Sequence, residues 1–320
     1  MPIYRRRALG TALAAPALLA AAPALAQGQA APALRQAPGF YRLKVGAFEV
    51  TVVNDGYNRR PNPAEGFVRN ADRATVEGSL RAQGLPADRL VNPYCVAALE
   101  TPRGLVLFDS GTGGQLVPTA RGVLPAMQAA GLDPARVTTI AVTHYHGDHI
   151  SGLTDAAGNA VFPNAELVVP EPEHAFWTDP ANAQRLGAGA QNVARRLAPY
   201  QARLRRISPD AEVAPGIRAV PTHGHSPGHT SYLVSDGADS VMVLGDLTSR
   251  PEINLRNPGW HVIFDMDAPM AEATRRRVFD RLVADGTRAV GYHWPFPAMG
   301  RVLREGDGYR VAPAEWLPSV

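Results

Sequence analysis

Seven residues at 143–149, THYHGDH, place three histidines and an aspartate directly after an apolar run, VTTIAV, at 137–142. In an extended segment, residues two apart point to the same side, so His144, His146 and Asp148 can converge while His149 approaches from the following turn. Neutral imidazoles and a carboxylate suit zinc or a similar divalent ion. A single histidine is most often an ordinary packed residue, but four such groups at this spacing favour a ligand turn. The fold must therefore contain a buried strand that ends in metal-capable side chains.

Three further segments repeat the arrangement, because in each an apolar run stops at a metal-capable side chain. They are AVPTHGHSPGHTSYLVS at 219–235, SVMVLGDL at 240–247 and RAVGYHWPF at 288–296. The candidate ligands there are His225 or His229, Asp246, and His293, with His223 as a further alternative to His225. Loops at strand ends on a rigid sheet commonly carry catalytic groups. We therefore expect these strand ends to meet at one edge of the fold.

The remaining chain alternates strand and helix patterns, which predicts an α/β fold. A hairpin is expected at 41–56, two joined strands at 95–113, a helix at 123–132 and a mainly helical insertion at 171–206. With 320 residues, of which 45% are hydrophobic, the chain is long enough to bury the core of one large domain or of two closely packed halves.

The first 26 residues have the pattern of a cleaved secretory signal: a basic start, an Ala-rich apolar middle and ALA at the end. Pro16 and Pro23 interrupt the apolar run, which argues against a retained membrane anchor. Residues 27–38 are rich in Ala, Pro and Gln and predict a flexible leader. The sequence thus predicts a periplasmic or secreted protein without a membrane anchor after signal removal. RRRALG also resembles a twin-arginine signal, so the general and twin-arginine routes both stay open.

Net charge gives no indication of a nucleic-acid partner. The chain has 32 basic and 29 acidic residues, and the signal contains three of the basic ones and none of the acidic ones. The mature chain is therefore balanced and lacks the basic excess of a nucleic-acid-binding protein. A small neutral molecule is the expected partner, and a homodimer is left open.

The motifs HYHGDH, HSPGH, LGD and GYH occur in this order and together resemble the metallo-β-lactamase fold superfamily. The resemblance covers residues 40–315. It implies an α/β fold, a four-layer αβ/βα sandwich of two similar halves, over a domain at 39–316. It also implies two divalent metal ions, most simply zinc, along one edge of the sheets.

The resemblance also assigns the residues of this site. The first ion would be held by His144, His146 and His225, and the second by Asp148, His149 and His293. Asp246 would bridge the two ions beside a bridging hydroxide, and the catalytic roles fall to Asp148 and Asp246. His229 and Asp109 would support the ligands through hydrogen bonds without coordinating an ion.

Within the superfamily, two groups of hydrolases resemble the chain: the homoserine-lactone lactonases and the methyl parathion hydrolase-like enzymes. Lactonases usually carry a tyrosine three residues after the bridging aspartate, where this chain has Ser249. FEVTVVNDG, EHAFW and GYHWPFP look more like the methyl parathion hydrolase group. The main expectation is thus cleavage of a neutral aryl ester or phosphotriester. A quorum-quenching-type lactonase is the alternative, and a non-catalytic metal-binding protein is a minor one.

Four residues are predicted to form the substrate pocket: Phe176, Trp177, Trp294 and Ser249. The aromatic rings would contact an apolar leaving group or acyl chain. Ordinary core packing is the alternative role for the three aromatic residues.

Overall fold

The computed structural model describes residues 39–320. The predicted signal peptide at 1–26 and leader at 27–38 lie outside the described residues. Within 39–320 the chain forms two mixed β-sheets of seven strands each, with helices packed around them. This is the α/β sandwich that the resemblance to the superfamily implied.

The first sheet has the strand order β1-β2-β3-β4-β5-β6-β7. Its strands are β1 (Phe40–Val45), β2 (Phe48–Pro61), β3 (Arg89–Thr101), β4 (Gly104–Phe108), β5 (Val137–Ala141), β6 (Glu166–Pro170) and β7 (Leu204–Ile207). The first four pair antiparallel, whereas β4 to β7 pair parallel. The predicted hairpin and the predicted strand pair are both present, as β1–β2 and β3–β4.

The second sheet has the strand order β14-β13-β12-β11-β10-β9-β8. Its strands are β8 (Glu212–Ala214), β9 (Ile217–Pro221), β10 (Thr230–Asp236), β11 (Asp239–Val243), β12 (Arg288–Val290), β13 (Met299–Glu305) and β14 (Gly308–Pro313). Within this second sheet, as the structure describes it, only β11 and β12 pair parallel, and the other neighbours pair antiparallel.

Each central strand contributes side chains to two hydrophobic cores, because successive side chains of a strand point to opposite faces of its sheet. In β4, Val106 and Phe108 face the second sheet and pack in a core that includes Val234 and Val243. Leu105 and the other alternate side chains of β4 point outward to a second core beneath helices. Each central strand is therefore buried on both faces, which explains its continuous apolar run.

The helices cover the outer faces of the sheets. They are α1 (Arg73–Ala82), α2 (Leu124–Ala129), α3 (Gly147–Ile150), α4 (Glu171–Thr178), α5 (Pro180–Leu186), α6 (Ala188–Leu197) and α7 (Ala268–Asp285), with 3₁₀ turns at Pro134–Arg136, Ser151–Leu153 and Ala198–Arg203 and a π turn at Pro251–Leu255. Met127 of α2 and Leu197 of α6 pack in the outer core of the first sheet. On the second sheet, Phe279 of α7 packs against Tyr309 with ring centroids 5.1 Å apart.

Within residues 39–320, no helix combines the length and the hydropathy needed to cross a membrane.

Candidate metal centre

Two groups of metal-capable side chains lie at the ends of β5, β9, β11 and β12. The first group contains His144, His146, His225 and Asp246, and the second contains Asp148, His149 and His293. In each group, one nitrogen or oxygen atom per residue lies within 4.8 Å of the others. We call these seven residues the metal centre. His223 belongs to neither group.

Asp246 lies between the two groups. Its Oδ2 atom is 3.3 Å from Nε2 of His225 in the first group and 3.1 Å from Nε2 of His293 in the second. Its Oδ1 atom is 3.2 Å from Nε2 of His149. One carboxylate therefore reaches both groups, which is the geometry that a bridging ligand requires.

Asp109, directly after β4, fixes the turn that carries four of the seven residues. Its Oδ1 atom accepts a hydrogen bond from the backbone N–H of Thr143 at 2.7 Å, and its Oδ2 atom accepts one from the Thr143 hydroxyl at 2.8 Å. The same Oδ2 lies 2.8 Å from Nδ1 of His149. A proton on Nδ1 leaves Nε2 of His149 free to coordinate an ion.

His229 lies behind the metal centre and makes hydrogen bonds to the backbone. Its Nε2 atom accepts the backbone N–H of Asp246 at 2.9 Å, so Nδ1 carries the proton and lies 2.8 Å from the hydroxyl of Thr222. Burial, with a smaller effect from His225, lowers the pKa of His229 to about 3. This neutral ring holds Asp246 in place through its backbone.

Two more candidate ligands, His293 and His225, have a hydrogen-bond partner at Nδ1, which leaves Nε2 available to coordinate an ion. His293 Nδ1 lies 2.8 Å from the carbonyl of Pro93, and His225 Nδ1 lies 3.1 Å from Oδ1 of Asp265. Asp265 is in turn 3.6 Å from the buried guanidinium of Arg275. No sequence pattern identifies Asp265, because FDMDAP at 264–269 does not follow an apolar strand.

Glu173 of α4 joins two ligand-bearing turns. Its Oε1 accepts the backbone N–H of Tyr145 at 2.9 Å, and its Oε2 accepts the Ser226 hydroxyl and the backbone N–H of Gly228, both at 2.8 Å. Its side chain is fully buried, and burial raises its pKa. No sequence pattern indicates this role, because the partners of Glu173 lie far from it along the chain.

The histidines of the metal centre fall into two sets whose pKa values shift in opposite directions. Burial, reinforced by neighbouring imidazoles, lowers the pKa of His144 and His146 well below the usual value. Although burial opposes the effect, Asp246 and other carboxylates raise the pKa of His149 and His293. Burial likewise opposes the shift at Asp246, yet His293 and His149 lower its pKa well below the usual value. The shifts keep His144 and His146 neutral and Asp246 ionised, which are the forms that bind divalent ions, whereas His149 and His293 favour the protonated form and would release a proton when an ion binds.

Unpaired buried atoms show that these residues fit a metal ion. Six buried side-chain nitrogen or oxygen atoms of the described residues have no hydrogen-bond partner, and three of the six are His144 Nε2, His149 Nε2 and Asp246 Oδ1. A buried polar atom without a partner costs about 1–3 kcal/mol. All three atoms belong to the metal centre, and their histidine and carboxylate chemistry is that of zinc sites.

A cavity of about 310 Å³ opens over the metal centre. Its apolar lining consists of Phe67, Leu90, Leu116 and Phe264, and its polar lining outside the metal centre includes Asn58, Arg60, Asn92, Tyr94 and Ser249. Burial, reinforced by Asp148 and other carboxylates, raises the pKa of Tyr94, so this phenol stays protonated. The volume lies at the small end of known ligand pockets, which suits a compact substrate.

The structure places only Ser249 of the four predicted pocket residues in this cavity. Trp294 is 1% exposed and packs in the core between the sheets, where its Nε1 donates to the Thr248 hydroxyl at 2.8 Å. Trp294 therefore points inward, although its neighbour His293 lines the cavity. Trp177 packs edge-on against His146, with ring centroids 5.8 Å apart, and Phe176 packs against Trp177. For these three aromatic residues, the structure therefore corresponds to the packing alternative.

Comparison with known families and proteins gives consistent matches. Residues 88–291 match the family model described as the metallo-beta-lactamase superfamily. An N-acyl homoserine lactonase of Bacillus cereus is 23% identical over 223 residues, which cover 64% of this chain and 81% of that protein.

Two solved structures resemble the whole described fold. One is AidC, a dizinc quorum-quenching lactonase in complex with a product, with a TM-score of 0.82, 25% identity, and coverage of 88% of this chain and 99% of that chain. The other is the hydrolase AbOPH in the beta-lactamase superfamily, with a TM-score of 0.82, 26% identity, and coverage of 88% and 100%. The relatives thus favour the lactonase alternative, and they do not support a specific likeness to the methyl parathion hydrolase group.

Proposed function

Because the chain belongs to the metallo-beta-lactamase superfamily and is a metal-dependent hydrolase, we propose that it binds two divalent ions and opens the ring of N-acyl homoserine lactones. The observation that carries this proposal is the position of Asp246 between two groups of ligand atoms on the floor of a cavity. The dizinc lactonase with the same overall fold supports it.

The residues of the metal centre would coordinate the two ions in two sets. His144, His146 and His225 would hold one ion, Asp148, His149 and His293 the other, and Asp246 both. A divalent ion bound there would lower the pKa of water from about 15.7 to about 7, which supplies hydroxide at neutral pH. The side chain of Asp148 remains 23% exposed, so this carboxylate also faces an arriving substrate.

The cavity lining suits an acylated lactone. Phe67, Leu116 and Phe264 offer an apolar surface beside the polar floor, and such a surface binds a short acyl chain by excluding water from it. The polar residues of the lining offer hydrogen-bond donors for carbonyl groups.

Hydrolysis of aryl esters or aryl phosphotriesters is a second candidate. It is favoured by Ser249, which lines the cavity at the position where lactonases usually carry a tyrosine. Without a phenol at that position, an activated leaving group would depart more readily than a lactone alkoxide.

The deciding measurement is kcat/KM of the zinc-loaded enzyme for N-hexanoyl homoserine lactone and for diethyl 4-nitrophenyl phosphate. We expect the lactone to be preferred by about tenfold or more, equivalent to about 1.4 kcal/mol in transition-state stabilisation. A phosphotriester preference of that size would replace the proposal with the second candidate. Elemental analysis of the same preparation should give two ions per chain, and a value near zero or one would refute the binuclear assignment.

A further inference from the structure

Two hydrogen-bond donors on one wall of the cavity have no acceptor among residues 39–320. The wall is formed by β2 and β3, whose register pairs Gly56 with Tyr94, Asn58 with Asn92, and Arg60 with Leu90. Alternate residues of a strand share a face, so all of these except Gly56 appear together in the cavity lining. The two donors without acceptors are Tyr94 and Arg60.

Tyr94 lies at the inner end of this wall. It is 5% exposed, and its ring centroid is 5.6 Å from that of His293 in the metal centre. Its hydroxyl has no hydrogen-bond partner among residues 39–320. The other buried tyrosines, Tyr145, Tyr200, Tyr232, Tyr292 and Tyr309, each have a partner for the hydroxyl. The Tyr94 phenol is thus a free donor beside the metal centre.

Arg60 lies nearer the mouth of the cavity. Its guanidinium carbon is 4.8 Å from the ring centroid of Phe67 and 5.4 Å from that of Phe264, which is 45% exposed. Within the described part of the chain, the side chain of Arg60 has neither a salt bridge nor a hydrogen bond. A half-buried guanidinium held only between two aromatic rings keeps its N–H groups available for an acceptor on a ligand.

We infer that one substrate molecule accepts hydrogen bonds from both groups: its ester carbonyl from Tyr94 and a second carbonyl, nearer the mouth, from Arg60. An N-acyl homoserine lactone has these two acceptors, the lactone carbonyl and the amide carbonyl. The inference therefore rests on the proposed function and deepens it. Tyr94 would supply from β3 the phenol that is missing at Ser249.

The two assignments predict different kinetic effects. The ester carbonyl gains negative charge as the bond breaks, so a donor on it stabilises the transition state and acts on kcat. The amide carbonyl does not react, so a donor on it binds substrate and transition state alike and acts on KM.

The test uses the zinc-loaded enzyme and two substrates: N-hexanoyl homoserine lactone, and γ-decalactone, which has no amide. Tyr94→Phe should lower kcat about tenfold with both lactones. Arg60→Met keeps the apolar stem and should raise KM about fivefold, but only for the acylated lactone. The controls Tyr57→Phe and Arg59→Met make the same chemical changes on β2 at residues outside the cavity lining. They should stay within about twofold of the parent.

Metal content and melting temperature of every variant should match the parent, which excludes an effect through the fold. A kcat of Tyr94→Phe within about twofold of the parent would overturn the role of Tyr94. An equal effect of Arg60→Met on both lactones would overturn the amide contact. If the enzyme hydrolyses γ-decalactone but not N-hexanoyl homoserine lactone, the proposed function and the Arg60 assignment are both refuted. The role of Tyr94 would then be decided by the effect of Tyr94→Phe on kcat for γ-decalactone.

Discussion

Asp246 is the residue on which both halves of the metal centre depend, because its two oxygens reach histidines of both groups. Asp246→Asn keeps the shape but removes the charge. We expect kcat/KM to fall about 100-fold or more and the metal content to fall below two ions per chain.

The matched control is Asp307→Asn in the exposed turn between β13 and β14, which should leave kcat/KM and metal content unchanged. Full activity of Asp246→Asn with two bound ions would refute the bridging role.

Glu173 allows a prediction about stability, because its carboxylate accepts hydrogen bonds from two ligand turns. Glu173→Gln turns one acceptor oxygen into an NH₂ group that faces a donor. The expected loss is about 1–3 kcal/mol in the free energy of unfolding, measured by urea denaturation, with weaker zinc binding.

Glu171→Gln serves as the control on the same helix. The Glu171 side chain is 45% exposed and pairs with Arg206 at the surface, so its loss should cost less than about 1 kcal/mol. Equal effects of the two substitutions would show that Glu173 does not hold the turns.

At the residue scale, the sequence identified the side chains that follow apolar strands and missed those that support them. His144 and Asp246 each come directly after a buried strand, so a local pattern marks them. Glu173 and Asp265 contact residues 53 and 40 positions away. Tyr94 and Arg60 lie in strands, and no feature of the strand pattern distinguishes them from their neighbours. No short motif marks such positions, because tertiary packing alone brings them to the site.

At the scale of elements, the HSPGH turn lies directly against α4. A Cβ atom on Gly228 would be 2.0 Å from the backbone nitrogen of Glu173, so Gly228→Ala must push the turn away from the helix. We expect a loss of about 1–3 kcal/mol in the free energy of unfolding and reduced zinc occupancy, because His225 moves with the turn.

Gly78→Ala in α1 provides the contrast, since a Cβ atom there meets nothing within 4 Å. It should raise the free energy of unfolding by about 0.5–1 kcal/mol. A Gly228→Ala variant as stable as the parent would show that the close approach is not required.

The predicted elements differ from the observed ones where pairing decides the structure. The insertion at 171–206 was predicted as mainly helical, and α4, α5 and α6 lie there, but β7 begins at Leu204. Residues Leu204–Ile207 are extended because they pair in parallel with β6. In the sequence, LRRI is too short and too polar to predict a strand on its own.

At the scale of the whole molecule, the metal centre joins the two sheets. His144, His146, Asp148 and His149 follow β5 of the first sheet, whereas His225, Asp246 and His293 follow strands of the second. The pattern of apolar runs that end in metal-capable side chains predicted that the strand ends share one edge, and the resemblance to the superfamily implied the sandwich. The shape of the cavity was not predictable, since its walls come from residues that no motif contains.

The position of the metal centre between the sheets predicts that the ions stabilise the entire fold. Ions that bind only the folded chain add about 2.7 kcal/mol per site at a concentration 100-fold above Kd. For a domain of this size, each kcal/mol corresponds to about 2 °C in Tm, so removal of both ions should lower Tm by about 10 °C. Calorimetry of the zinc-loaded protein before and after dialysis against a chelator measures the shift, and added zinc should reverse it. Because the ligands come from both sheets, the apo protein should still unfold in one transition at the lower temperature. An unchanged Tm after complete zinc removal would contradict a structural contribution of the ions.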